Sequence, residues 1–143
     1  MSYERVIAEH AQIGTILRQL ERLIAADAPD AAAATITLSD LAQELEHHLA
    51  YEDGVVYPRM IASANAEVSA TAKRFLEDFA GLREDLHIFL GEWNSDCIAA
   101  DWAEFRHQSQ ALIARLVARI RAENELLYTA ALQANAIRLR RAA

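Results

Sequence analysis

Apolar positions along this chain recur at helical spacing, and four stretches carry the pattern. The first reads Tyr3, Ile7, His10, Gly14, Leu17, Leu20, Ile24, steps of three and four that line one face of a helix. Ser2 precedes it as an N-cap and Asp27-Ala28-Pro29-Asp30 follows as a turn, so the spacing predicts a helix from Ser2 to about Ala26. The second stretch begins at Asp30 or only near Ser39, because the alanine run between them permits either, and ends near Ser63. Its stripe is Leu38, Leu41, Leu45, His48, Glu52, Val55. Pro58 lies inside it and has no N–H for the Gly54 carbonyl, which predicts a kink one turn past Glu52. Asn65-Ala66-Glu67 is the next turn, and a third helix carries Val68, Ala72, Phe75, Phe79, Leu82, Leu86, Phe89, Trp93. Asn94-Ser95-Asp96 breaks it. Asp101 with Glu104 looks like a capping box for a fourth helix, whose stripe is Phe105, Leu112, Leu116, Arg119, Glu123, Leu126, Ala130.

Long helices joined by short turns predict an all-α fold, an up-down antiparallel four-helix bundle. No strand alternation, repeat or linker interrupts the pattern, so residues 1–143 are expected to form one domain. Composition agrees: 53% of residues are hydrophobic, and only four glycines and two prolines break helix propensity.

Charge and cysteine content narrow the partners. The net charge of −7 argues against nucleic acid. Arg138, Arg140 and Arg141 suit a helix C-terminus better than a basic patch. A lone Cys97 excludes an internal disulfide and fits a reducing compartment. The first residues lack the apolar core of a signal peptide, and no apolar run approaches bilayer length. The expectation is a cytoplasmic protein that meets neither membrane nor nucleic acid. A protein partner or homo-oligomer is left open.

Candidate chemistry sits on the apolar stripes. His48 and Glu52 share a helix face that should look into a core, and burying such a pair is costly unless a metal or another charge neutralises it. His10 lies 17 residues before Asp27, and His48 lies 18 residues after Asp30, so antiparallel helices bring them to one height. The same counting puts the third helix at that height near residues 72–78 and the fourth near 117–123. Arg119 and Glu123 are there, four apart on the stripe. Five ionisable side chains therefore point into one layer of the expected core.

These residues carry a resemblance to the hemerythrin-like family, the HHE cation-binding domain. It covers nearly the whole chain: His10 in Glu9-His10-Ala11, the run His48 to Pro58 with its His-x-x-x-Glu, and Arg119-Ile120-Arg121-Ala122-Glu123-Asn124-Glu125-Leu126-Leu127-Tyr128 near the end. The full family pattern implies a di-iron centre of histidines and carboxylates that binds oxygen or serves redox and iron-linked roles. Here Arg119 stands where the family has histidine, and Asn124 where it has an acidic residue. The third helix has no histidine between Glu67 and Gly81. The metal ligands that carry over are His10, His48, Glu52 and Glu123, with Arg119 modifying the site.

Arginine cannot ligate, because it has no acceptor and stays protonated. Two glutamates and Arg119 sum to one negative charge. One divalent ion with a hydroxide brings the layer to zero, and so does one protonated histidine without metal. Two divalent ions would leave it strongly positive. Two readings survive: weak or mononuclear binding of iron or zinc in sensing or sequestration, or a metal-free structural or signalling bundle in which Arg119 pairs with Glu52 and Glu123. A di-iron oxygen-binding protein ranks below both, since it would need ligands such as Glu77 or Asp78. No phosphate loop, nucleophile elbow or Cys-x-x-Cys pair is present, so the chain reads as a binding protein rather than an enzyme. His47 is expected to face solvent, Tyr51 and Tyr128 to pack at helix edges, and Trp93 and Trp102 to close one end. His87 and His107 lie off the stripes.

Overall fold

The computed structural model describes residues 2–133; Arg138, Arg140 and Arg141 lie outside them. The described residues are helical almost throughout, in the order α1 (Tyr3–Ala25), α2 (Ala31–Tyr51), a π-helical segment (Glu52–Val56), α3 (Tyr57–Ile61), α4 (Ala66–Glu92), α5 (Ser95–Ala100) and α6 (Trp102–Gln133).

Local chemistry sets most boundaries. The Ser2 side chain accepts from the Arg5 N–H at 3.2 Å and opens α1. Asp30 accepts from Ala33 at 3.0 Å, which settles the start of α2 at the earlier of the two candidates. Asn65 caps α4 through the Val68 N–H, so Ala66 and Glu67 belong to that helix and not to a turn. The break at Asn94 is real but brief: Asn94 itself caps the short helix α5 through the Cys97 N–H, where the sequence suggested only a loop. Asp101 accepts from Glu104 N–H at 3.1 Å, which is half of the expected capping box. The Glu104 carboxylate instead takes a hydrogen bond from Gln108 one turn on.

The irregularity expected near Pro58 takes the form of a widened turn. Across Glu52–Val56 the helix passes through a π-turn, and the Tyr57 N–H reaches back to the Glu52 carbonyl. One extra residue is accommodated just where the missing proline donor would leave a gap. The consequence is a shift of face. Val56, Tyr57 and Met60 are buried, whereas Val55 is only half-buried and Arg59 is exposed.

The buried face of α1 also differs from the expected stripe. Val6, Ile13 and Ile16 join His10, Leu17, Leu20 and Ile24, while Tyr3, Ile7 and Gly14 are half-buried. α1 packs against both α2 and α6, and two neighbours demand a wider apolar arc than one stripe supplies. The expected α6 stripe is buried throughout. On α4, Val68, Ala72, Leu82, Leu86 and Phe89 are buried and Phe75, Phe79 and Trp93 are half-buried. α4 packs on α3 and α6.

The apolar core comes in two parts. The larger gathers Ile13 to Ile24, Leu38 to Leu49, Leu82 to Phe89 and Phe105 to Leu116. It ends at a ring cluster in which Trp93, Trp102 and Phe89 pack around Phe105, and Trp93 Nε1 donates to Gln108 at 2.9 Å. The smaller gathers Val6, Val56, Tyr57, Met60, Val68, Ala72, Leu126, Leu127 and Ala130. Along the helices His10, Glu52, Arg119 and Glu123 fall between the two parts, and His48 lies at the edge of the larger one, one residue before Leu49.

Candidate metal centre

All five of these side chains are buried, from Glu52 at 0% exposed to Arg119 at 8%. α1 delivers His10, the last turn of α2 delivers His48, the first π residue is Glu52, and α6 delivers Arg119 and Glu123. Glu52 is the hub. Its Oε1 lies 3.2 Å from His10 Nε2 and 2.5 Å from His48 Nε2, while Oε2 accepts from Arg119 Nη2 at 2.9 Å. The imidazoles meet edge to face with centroids 4.7 Å apart.

The outer nitrogens are held as well. His10 Nδ1 lies 2.6 Å from the Asn124 side-chain carbonyl, and His48 Nδ1 lies 3.0 Å from Glu9 Oε1. Such outer partners fix ring orientation and leave each Nε2 directed inward. Glu9 is itself tied to Arg5 at 3.1 Å and sits 3.6 Å from His47, whose ring is otherwise exposed. Tyr51 lies at the helix edge, half-buried, with the Arg5 guanidinium 3.7 Å from its ring centre.

Arg119 divides the layer. Its Nε donates to Glu123 Oε1 at 2.8 Å, so one guanidinium spans the two glutamates, and the Phe79 ring lies 4.9 Å from it. The Tyr57 hydroxyl is 3.0 Å from Glu123 Oε2. The donor atoms of His10, His48 and Glu52 all lie within 4.8 Å of one another; Glu123 is outside that cluster and joined to Glu52 through Arg119. Glu77 and Asp78 are exposed, so α4 brings Phe79 to the layer and no carboxylate. His87, His107 and Cys97 are also exposed.

Electrostatics separates the two glutamates. Burial works against the Glu52 anion, but hydrogen bonds from His10 and His48 overcome it and hold the carboxyl far below the usual range. Burial and the neighbouring Glu52 charge push Glu123 the other way, up to about 8, against the pull of Arg119. Two adjacent carboxylates in a dry site do not both ionise readily, and the first charge resides on Glu52. For His48, burial opposes protonation, while hydrogen bonds to Glu52 and Glu9 favour it and raise its pKa. Burial likewise opposes the Glu9 anion, and its bonds to His48 and Arg5 lower its pKa overall. The Tyr57 phenol is pushed up by burial and by Glu123, so it stays a hydroxyl that can donate a hydrogen bond to the Glu123 carboxylate or accept one from the protonated carboxyl.

Glu9, Asn124 and Tyr57 were not singled out as site residues in the sequence. Their signal was position: Glu9 and Asn124 are each adjacent to a stripe residue, and Tyr57 lies in the His48–Pro58 run. The π-turn that swings Tyr57 inward has no such signature.

The chain matches the Hemerythrin HHE cation binding domain over residues 1–131, and it belongs to that family. No curated protein and no solved structure gave a significant match.

Proposed function

We propose that this is a hemerythrin-like cation-binding protein, folded as a single up-down four-helix bundle, that holds one iron or zinc ion on His10, His48 and Glu52. The observation that carries the reading is the convergence of two imidazole Nε2 atoms on one Glu52 oxygen while Asn124 and Glu9 occupy both Nδ1 atoms. The spacing fits. Bonds of about 2.0–2.2 Å set neighbouring ligand atoms roughly 3 Å apart, and here the histidine nitrogens stand 3.2 and 2.5 Å from Glu52 Oε1. A space of about 20 Å³ beside His48, Arg119 and Glu123 has room for a single water.

Such an ion would supply positive charge and an open coordination position, and the chain's own residues set its surroundings. Arg119 takes the part of a second cation by bridging Glu52 Oε2 and Glu123 Oε1. Glu123 serves to fix Arg119 and enters a coordination set only if Arg119 moves. With Arg119 occupying the other half of the layer, the ion is held by few ligands, which suits reversible sensing or sequestration better than oxygen chemistry at a di-iron centre. Among the described residues no helix is long and apolar enough to cross a membrane; a cytoplasmic setting stays with this reading.

A ligand that binds only the native state must stabilise it. Ferrous or zinc ion at a hundredfold excess over Kd is expected to add about 2.7 kcal/mol, read as a higher thermal midpoint, and His48→Ala should lose that response. An unchanged midpoint with either metal defeats the proposal. The metal-free alternative draws on the Arg119 bridge itself. It is favoured if native protein takes up no metal while Arg119→His does.

A further inference from the structure

Beside the polar layer, a second cavity of about 230 Å³ lies between the π segment with α3 and the middle of α4. Its walls are Phe75, Leu76, Phe79 and Ala80; Arg83 and Asp53 are exposed and form an ion pair with each other, and Tyr57 and Arg119 are buried. A sealed apolar gap would need no charge, yet this one ends on a guanidinium that is more than nine-tenths buried. Arg119 spends Nε on Glu123 and Nη2 on Glu52, while its Nη1 has no hydrogen-bond partner among the described residues and keeps some contact with solvent. A guanidinium that lines a cavity and has an N–H met only by solvent can give that N–H to a ligand acceptor.

We propose that this cavity binds a small organic carboxylate, its apolar body between Phe75, Leu76 and Phe79 and its oxygens on Arg119 Nη1, with Arg83 at the mouth. Three features select that class. A planar guanidinium with free N–H groups matches a carboxylate better than a single-point acceptor. The apolar walls favour a ligand with a hydrocarbon or aromatic body, and Phe75 and Phe79, with centroids 5.3 Å apart, offer ring faces. The volume lies below the roughly 300–1,000 Å³ of drug-sized sites, so the ligand is small. Glu52 and Glu123, already on Arg119, disfavour a dianion such as phosphate. The site draws on no metal ligand except through Arg119, and it does not depend on whether the neighbouring cation centre is filled.

The test uses the full chain freed of metal with chelator, labelled with ¹⁵N, and titrated with benzoate and, separately, with uncharged benzamide. Benzoate is expected to give saturable shifts at Tyr57, Phe79, Arg83 and the Arg119 Nε–H, with benzamide at least tenfold weaker. Leu76→Trp, a substitution at a partly exposed position that fills the cavity, should abolish saturation. Arg83→Gln should weaken binding about two- to fivefold, as an exposed charge does. No saturable response to benzoate, equal binding of benzamide, or an unaffected Leu76→Trp variant would each overturn the assignment. Because metal is absent throughout, a failure here leaves the cation reading standing, and the reverse holds too.

Discussion

At the scale of the residue, Arg119 decides what this site can be. It has no acceptor atom and stays charged, so it cannot act as a metal ligand. It bridges Glu52 and Glu123 from inside the protein, so removing its charge strands two buried carboxyls. Arg119→Met is expected to cost about 3–5 kcal/mol in the metal-free protein, measured by urea unfolding; a near-neutral result would show that the bridge contributes little. The layer also sets a pH dependence. Glu52 has a depressed pKa, so its stabilisation is present above the ordinary value of 4.5 and is lost as pH falls below it. Glu123 is raised from 4.5 to about 8, so the stability it lends is full below 4.5 and disappears as pH climbs to 8. His48, raised from 6.5, acts in the same sense above that value. Metal-free protein should therefore melt at a lower temperature at pH 8 than at about pH 5.5, and Glu123→Gln should flatten that slope. A midpoint that rises over this interval would mean that the two carboxyls are not split in this way.

At the scale of the element, the π-turn is what turns a helix into a site. An uninterrupted α-helix beyond Glu52 would carry Arg59 toward the core and Met60 away from it. The extra residue reverses this and brings Tyr57 onto Glu123. Gly54 sits in the exposed outer wall of that turn, with nothing within 4 Å of where a Cβ would lie. Gly54→Ala is thus expected to stabilise by about 0.4–1 kcal/mol, through a less flexible unfolded chain; a loss of stability in the same urea assay would show that the turn needs glycine. Deleting Gly54 should do the opposite. It would remove the residue that the π-turn absorbs, expose Val56 and Met60, and lower the thermal midpoint sharply. The sequence announced an irregularity here through Pro58 but not its form, because a kink and a π-turn answer the same missing donor. The helix starts capped by Ser2 and Asp101 were legible, Asp30 was one of two candidates for the second helix, and the cap at Asn65 was read as part of a turn. α5 was hidden because Asn94 reads equally well as a break and as a cap.

At the scale of the whole molecule, the polar layer splits the core, and that arrangement was readable in advance. Residues that interrupt each apolar stripe do so at one height, and counting from the turns located His10, His48, Glu52, Arg119 and Glu123 together. What counting could not supply was the pairing within the layer. Height along a helix does not say that both imidazoles meet one oxygen of Glu52, or that Arg119 bridges Glu52 and Glu123. It also gave nothing for α4, where residue 79 is an aromatic ring against Arg119 and the acidic residues beside it face outward. The proposed centre takes a single ion, and an arginine fills its other half. The most direct test is the metal content of the native protein after equilibration with zinc or ferrous ion, compared with His48→Ala. One ion per chain in the native protein and none in the variant is the expected result; no bound ion, or two per chain, would contradict it.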